Sequence, residues 1–257
     1  DRGNTLQRKI ILSQAASLLA GRGQLYIGHI DIGLNGNFIF DSVTVADSVG
    51  AFVATAGRIE GKVGIAGMLR GRVHISRLLL VRPYVVFEQY QNGSWNIDKL
   101  FPPRKPLSLP TPRSALSVTI DSAVVRDGHL ALVQPDSLPK LPPKRRDFTQ
   151  LQMRLGATEI MHPGKAGGSA TILHLAMISS NPPLTLRQAI GTVNWWADSL
   201  TMDFASFRLP ASRATLRGSI VWATTGPPRL NLLLTADTVS LAFVTWGTSR
   251  LGKSGAP

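Results

Sequence analysis

The chain has 257 residues, no cysteine, and an excess of basic residues that gives a net charge of +13. The absence of cysteine excludes disulfides, thiolate catalysis and cysteine-based metal sites. The positive charge favours an anionic partner, either nucleic acid or a phosphate-bearing membrane surface. No apolar run approaches the roughly 20 residues that a membrane-spanning helix needs.

The first predicted element is an amphipathic helix over Asn4–Leu19, within an N-terminal unit of residues 1–23. Leu6, Ile10 and Leu18 lie at spacings that form an apolar stripe on one helix face. Gly21 follows the last apolar residue, as is common where a helix ends. We expect this helix to pack on the following sheet; a helix lying on a membrane surface is the alternative.

From residue 24 onward apolar residues recur at every second position rather than at helical spacing. This pattern predicts antiparallel strands with one side exposed to water. Tyr26, Ile30 and Ile32 share one parity, and Phe38 and Phe40 continue it after an Asn-Gly-Asn turn. The first β unit is predicted to span residues 24–100.

The best-defined hairpin lies at the end of this first unit. A strand over Val73–Val81 meets a break at Arg82-Pro83, because proline has no N–H for a sheet ladder. A second strand, Tyr84–Tyr90, leads into Asn92-Gly93, a strong hairpin-turn signal. Trp95 and Asn96 follow, and we interpret them as an architectural close of the sheet unit.

A proline-rich, basic segment over residues 101–116 is predicted to be a linker, since so many prolines exclude regular structure. A second β unit then covers residues 117–257, incomplete at its C-terminal end. Its first strand places Val118, Ile120 and Val124 on one face, and further apolar strands make a long meander. Only Leu184–Ile190 fits a short helical turn.

No constellation of residues with catalytic chemistry stands out. The five histidines are scattered without a partner at metal-ligand spacing, so we expect no metal site. The segment Gly164–Ser169 lacks the spacing of a phosphate loop, and no serine lies in a nucleophile elbow. Basic residues are not interleaved with exposed aromatics as in single-strand binders, so nucleic acid is not the expected partner. The sequence predicts neither enzyme activity nor a cofactor.

The first half of the chain carries a series of short motifs: Asp41-Ser-Val-Thr-Val-Ala-Asp47, Gly71-Arg-Val-His-Ile75, Arg82-Pro83, Gly93-Ser-Trp-Asn-Ile97 and Ile120–Gly128. These motifs resemble those of the AsmA/TamB superfamily of envelope proteins of diderm bacteria. Up to Pro135 the motifs match the superfamily in order and spacing. Beyond Pro135 only the general pattern of apolar strands is similar.

This resemblance implies a mainly β fold, an elongated, curved antiparallel β-sheet groove with an apolar inner face. It also implies a periplasmic protein anchored in the inner membrane by an N-terminal segment, which we expect upstream of Asp1. Members of the superfamily are thought to conduct phospholipid to the outer membrane, and TamB-like members are also linked to translocation and assembly of outer-membrane proteins. The chain would then be the membrane-proximal part of a longer protein.

The residues alone also raise the question of what covers the apolar face of the strands. Alternating strands without matching amphipathic helices need something apolar to cover that face. A second sheet would make a sandwich core, whereas a lipid would make a groove lining. The candidate lining residues are Tyr26, Ile30, Ile32, Phe38, Phe40, Val118, Ile120, Val124, Leu200, Met202 and Phe204. The leading hypothesis is a bridge-like conduit for phospholipid that supports outer-membrane biogenesis. The alternative is an assembly factor that pairs its sheet edge with strands of an outer-membrane β-barrel partner.

Overall fold

The computed structural model describes residues 22–64, 72–100, 117–136, 142–161, 167–181, 183–196, 198–221 and 229–237. This part of the chain is mainly β, as the period-two pattern predicts. One short helix, α1 (Asn96–Leu100), follows the fifth strand. The strands are β1 (Gly23–Ile32), β2 (Asn37–Asp47), β3 (Phe52–Val63), β4 (Arg72–Val81), β5 (Tyr84–Glu88), β6 (Ser117–Ile120), β7 (Ala123–Gln134), β8 (Lys144–Met161), β9 (Gly167–Ser180), β10 (Pro183–Trp196), β11 (Ser199–Leu209), β12 (Ser212–Val221) and β13 (Arg229–Ala236).

All of these strands belong to one 13-stranded sheet. β4 and β5 lie end to end along β3, because β3 pairs with β4 through one half and with β5 through the other. β6 and β7 lie end to end in the next position, and β8 pairs with both. From β8 to β13 each strand pairs with the one that precedes it in the chain.

The prediction of a purely antiparallel sheet is wrong at one junction. β4 pairs in parallel with β6 and β7, and β5 pairs in parallel with β7. Parallel neighbours need a long connection that returns the chain to the same end of the sheet. The chain between β5 and β6 is long enough for such a connection, and a pattern of alternating residues does not reveal the parallel pairing.

The Arg82-Pro83 break between two strands is confirmed. Arg82 has a φ of 50°, and Pro83 has no N–H, so the strand cannot continue regularly through them. The neighbouring strand β7 holds the break in place, because the Arg82 N–H donates to the carbonyl of Arg126 (2.8 Å). The carbonyl of Pro83 in turn accepts from the N–H of His129 (2.8 Å).

The prediction of a helical turn over Leu184–Ile190 is wrong, because this segment lies within β10. Leu184 pairs with Ser179, and Leu186 pairs with Met177 of β9. A bulge between Leu186 and Ala189 places two buried residues three positions apart, and that spacing imitates a helix. Pairing with strands on both sides outweighs the local helical preference.

Two predicted segments lie largely outside the described residues. The predicted N-terminal helix, Asn4–Leu19, lies within residues 1–21, which the structure does not describe, and β1 begins at Gly23. The proline-rich segment falls on residues 101–116. The sheet itself continues across that segment in space, since β5 pairs directly with β7.

Candidate functional site

One side of the sheet, here called the apolar side, carries rows of apolar residues that run across the strands. Residues paired across neighbouring strands project from the same side of a sheet, so the pairing register shows which residues share a side. The first row contains one residue from each strand position: Ile30, Phe40, Ile59, Leu80, Val125, Met153, Leu175, Ala189, Phe207, Ala214 and Ala236.

Two further rows follow on the same side. The second row is Ile32, Phe38, Gly61, Leu78, Ala123, Leu155, Ile172, Gly191, Phe204, Leu216 and Leu234. The third row is Val63, Ile75, Ile120, Thr158, Ala170, Val193, Met202, Gly218 and Leu232. No charged residue interrupts these three rows among the residues that the structure describes.

Glycine within the second row leaves room for an aromatic side chain. The ring of Phe38 lies where a Cβ at position 61 would stand, so any larger residue would displace it. Phe38 also stacks on Phe40, with ring centroids 5.0 Å apart. The pair therefore forms a flat aromatic patch on the apolar side at the β1–β3 edge.

The apolar side continues past a line of irregular residues that crosses the sheet. Ser42, Arg82, Asp127 and Gln150 have φ values between 50° and 54°, a region that non-glycine residues rarely occupy. A Cβ at Gly128 would lie 3.0 Å from Val125 Cγ1, so positions three apart face the same side of β7. In regular strands only positions two apart do so. The line therefore shifts the alternation by one residue.

Beyond this line the apolar side carries a fourth set of paired residues at the α1 end of the sheet. This set is Leu25, Val45, Ala54, Val85, Leu130 and Phe148. The helix α1 packs there, and its Leu100, only 1% exposed, contacts a cluster with Val53, Leu25 and Val45. Full burial of a leucine stabilises a fold by about 1.5–3 kcal/mol.

The position of α1 is fixed by Asn96, which is 3% exposed. Its Nδ2 donates to the carbonyl of Val86 (2.7 Å), and its Oδ1 accepts from the N–H of Glu88 (3.0 Å). β3 pairs with β5 only as far as Val85, so Asn96 takes the place of the missing strand partner. Asn96 therefore has a structural role, in agreement with the sequence interpretation.

All but two of the predicted lining residues lie on the apolar side. Ile30 and Phe40 are in the first row; Ile32, Phe38 and Phe204 are in the second; Ile120 and Met202 are in the third. Val118 pairs with Val73, and Leu200 pairs with Trp195 and Ile220, in a partial row next to the third.

Tyr26 and Val124 lie on the opposite side, here called the polar side. Tyr26 pairs with Thr44 and is 66% exposed, whereas its neighbour Leu25 packs under α1. Val124 pairs with Leu79 and Arg154, between the buried residues Ala123 and Val125. A uniform period of two places Tyr26 with Ile30, but the shift at Ser42 separates them.

Alternation within single strands does not single out five further residues of the first two rows: Ile59, Leu80, Leu155, Ile172 and Leu216. A spacing of three instead of two between residues on the apolar side, as from Val125 to Gly128, marks where the alternation shifts in several successive strands. When neighbouring strands are aligned at these positions, the residues of each row fall opposite one another.

Much of the apolar side stays partly open to solvent. Most residues of the second and third rows are half-buried, and the β13 residues Leu230, Leu232 and Leu234 are exposed by 58%, 45% and 37%. Buried clusters occur under α1 and around Leu186, Ala189 and Leu209. Among the described residues, α1 is the one element that packs onto this side.

The polar side carries charges, and near α1 they form a compact network. The Arg145 guanidinium donates to both oxygens of Asp147 at 2.9 Å, and His129 Nε2 lies 2.7 Å from Asp147 Oδ1. The Tyr84 ring lies tilted against the His129 ring, with centroids 4.6 Å apart, and the Tyr84 hydroxyl accepts from Arg145. The hydrogen bonds from Arg145 hold the pKa of Asp147 below its usual value, against a smaller opposing effect of burial.

The described residues contain no cluster of three or more histidine or acidic side chains that could hold a metal ion. Within the same part of the chain, none of the helices has the length and apolar character needed to cross a membrane. No protein-family model matches the chain, and no curated protein matches it either.

Proposed function

We propose that the apolar side of the sheet shields the acyl chains of phospholipid or another amphipathic lipid, without chemical turnover. The observation that carries this proposal is the pair of apolar rows that cross the whole sheet without a charged residue. A surface of this kind offers the same environment at each strand, so an acyl chain can lie across many strands and exchange between positions.

The energetics fit a weak, sliding contact rather than a tight pocket. Transfer of each CH₂ group from water to an apolar surface stabilises by about 0.8 kcal/mol. Half-buried residues such as Phe40, Met202 and Phe204 already lose part of their contact with water in the free protein, so a CH₂ group that packs on them gains less than this full value. The lipid is held by the sum of many such contacts.

The opposite side supports the same proposal, because it carries the charges that keep the sheet in water. Asp41 pairs with Arg58 at 3.7 Å, and Asp203 pairs with Arg217 at 2.9 Å. A sheet that buried both sides would have apolar residues on both. The sheet is therefore amphipathic, and its apolar side needs a partner other than water.

The resemblance to the AsmA/TamB superfamily suggests in which cellular compartment this surface acts. On that basis we propose a groove-shaped sheet that conducts phospholipid through the periplasm of a diderm bacterium, between the inner and outer membranes. The inner-membrane anchor would lie in a segment that precedes the chain, and the transport would support outer-membrane biogenesis.

Native mass spectrometry of the purified chain tests the proposal. We expect phospholipid to co-purify with the wild type and to be lost from Leu216→Asp, which places a charge in the second row. Val124→Asp is the matched control, since Val124 lies on the polar side opposite Arg154 and an aspartate there gains a cationic neighbour. Lipid-free wild type, or equal lipid loss in both folded variants, would contradict the proposal.

A second candidate function is strand pairing with an outer-membrane partner, and the exposed edge strand β13 favours it. β13 pairs with β12 through one edge, and among the described residues no strand pairs with its other edge. Unpaired N–H and C=O groups there can add a further strand. Photocrosslinking from Leu233, which is 65% exposed, tests this function. Capture of an outer-membrane β-barrel protein is expected, with no capture from an equivalent probe at exposed Thr192 of β10, a strand that is paired on both edges.

A further inference from the structure

A basic cavity opens on the polar side near the turn between β11 and β12. It has a volume of about 470 Å³ and is lined by Arg187, Arg208, Arg213, His174 and Asp237, among other residues. Arg187 belongs to β10, Arg208 to β11 and Arg213 to β12, so three neighbouring strands each contribute one guanidinium group. The single carboxylate of Asp237 leaves the lining with an excess of positive charge.

The sheet register forces two of these arginines together. Arg208 and Arg213 are direct partners across the β11–β12 pair, and Gln188 is the partner of Arg208 on the other side. Like charges directly opposite each other on a sheet destabilise the pair. Both side chains project from the polar side, because their neighbours Phe207 and Ala214 belong to the first apolar row.

Two other arginines on the same side, Arg58 and Arg217, have carboxylate partners. Arg58 lies between Asp41 and Glu60, and Arg217 bonds to Asp203. Within the described part of the chain, the guanidinium groups of Arg187, Arg208 and Arg213 form no ion pair. An oxyanion in the cavity would neutralise these three guanidinium groups.

We propose that this cavity is a binding site for a phosphate group. The planar fork of arginine matches phosphate oxygens in a bidentate manner, and several such forks around one cavity can neutralise the charge of a phosphate monoester or diester. The cavity has the volume of ordinary small-molecule sites, which leaves space for an organic group attached to the phosphate.

A second cavity extends the basic surface away from this site. It measures about 530 Å³, and Arg126, Arg154 and His174 line it together with Val124 and other residues. His174 borders both cavities, so the two are neighbours on the polar side. The added positive potential draws anions toward the arginine cavity.

This site is independent of the proposed lipid-shielding surface, because its arginines project from the other side of the sheet. The phosphate group itself has two possible sources, a soluble phosphorylated molecule or the headgroup of an anionic lipid. Both present the same oxygens to the arginines, and the experiment below separates them.

Isothermal titration of the full chain with inorganic phosphate and with glycerol 3-phosphate tests the site. Charge-assisted hydrogen bonds contribute about 1.5–3 kcal/mol each, so removal of two guanidinium groups is expected to weaken binding by about 100-fold or more. The test variant is Arg208→Gln with Arg213→Gln. The matched control is Arg72→Gln with Arg77→Gln, which removes the same charge from exposed positions of β4.

The expected result is saturable binding by the wild type and the control, and its loss in the test variant. Flotation with vesicles of phosphatidylcholine containing phosphatidylglycerol then identifies the source. Vesicle binding that depends on Arg208 and Arg213 assigns the site to a lipid headgroup, and binding of glycerol 3-phosphate alone assigns it to a soluble ligand. Absence of saturable binding in the wild type, or equal weakening in both double variants, would overturn the proposal.

Discussion

The two ends of the apolar side contrast in how they are covered. At the α1 end, Leu100 closes over Val53, Leu25 and Val45, and this cluster includes fully buried side chains. At the β12–β13 end, leucines of the same character remain exposed to water, among them Leu230 and Leu232. The sheet surface is chemically alike at both ends, so the presence of a packed partner makes the difference. On the proposed function, a lipid would cover the apolar residues at the open end, as Leu100 covers them at the α1 end.

Replacement of a leucine at each end gives the largest expected contrast. Leu100→Ala should lower the free energy of unfolding by about 2–5 kcal/mol, because it leaves a cavity in a closed cluster. Leu232→Ala should cost less than about 1 kcal/mol in the lipid-free protein, since its side chain is already 45% exposed. Urea unfolding followed by circular dichroism measures both.

When lipid binding is measured instead of stability, Leu232→Ala should have the larger effect of the two variants. Leu232→Ala is expected to weaken binding of a fluorescent phospholipid, whereas folded Leu100→Ala protein should bind as the wild type does. Equal stability losses at the two ends, or an effect of Leu100→Ala alone on lipid binding, would remove the contrast between a closed and an open end.

Asn96→Ala tests what keeps the covered end closed. The substitution leaves the carbonyl of Val86 and the N–H of Glu88 without their side-chain partners, at an expected cost of about 2 kcal/mol. Hydrogen exchange at β5 should increase accordingly. Asn92→Ala is the control, because Asn92 caps an exposed turn through Ser94 and its loss should change stability little. Unchanged exchange at β5 would show that α1 is held by other contacts.

The network of Arg145, Asp147 and His129 on the polar side predicts a dependence of stability on pH. The pKa of Asp147 is lowered in the folded state, mainly by its hydrogen bonds from Arg145. Its contribution is therefore present above the unfolded pKa of about 3.9 and is lost as the pH falls through the folded value. Asp147→Asn should destabilise by about 1 kcal/mol at pH 7, and the difference from the wild type should shrink as the pH falls below about 3.9. A difference that does not shrink at low pH would assign the effect to packing.

The smallest effect is expected at Ser179, which lies on the apolar side between Phe148 and Leu184 in the register. Its hydroxyl is buried, and no hydrogen-bond partner lies within reach. Ser179→Ala should be neutral or should stabilise by up to about 1 kcal/mol, since it removes an unsatisfied polar atom. Thermal unfolding measures the change, and a loss of stability would reveal a partner for this hydroxyl.

The sequence predicts well what depends on local chemistry. The Arg82-Pro83 break follows from the missing proline N–H, and the Asn92-Gly93 turn follows from a glycine with a φ of 83°. Alternation within a single strand also places Ile30 with Ile32, and Phe38 with Phe40.

Other features depend on neighbouring strands, and local pattern does not reveal them. Ser42 and Gln150 adopt a positive φ that non-glycine residues rarely occupy, and the shift of alternation at Ser42 moves Tyr26 to the polar side. Val124 has apolar neighbours in sequence, and only its pairing with Arg154 shows its side. The parallel pairing of β5 with β7 likewise joins strands that are far apart in sequence.

The central claim is that lipid lies on one side of the sheet, and β10 offers a direct measurement of it. The chain has no cysteine, so single substitutions Val193→Cys and Thr192→Cys can each carry one fluorophore on opposite sides of the same strand. Phospholipid with brominated acyl chains should quench the label at position 193 strongly and the label at position 192 weakly. Equal quenching at both positions, or none at position 193, would contradict the account.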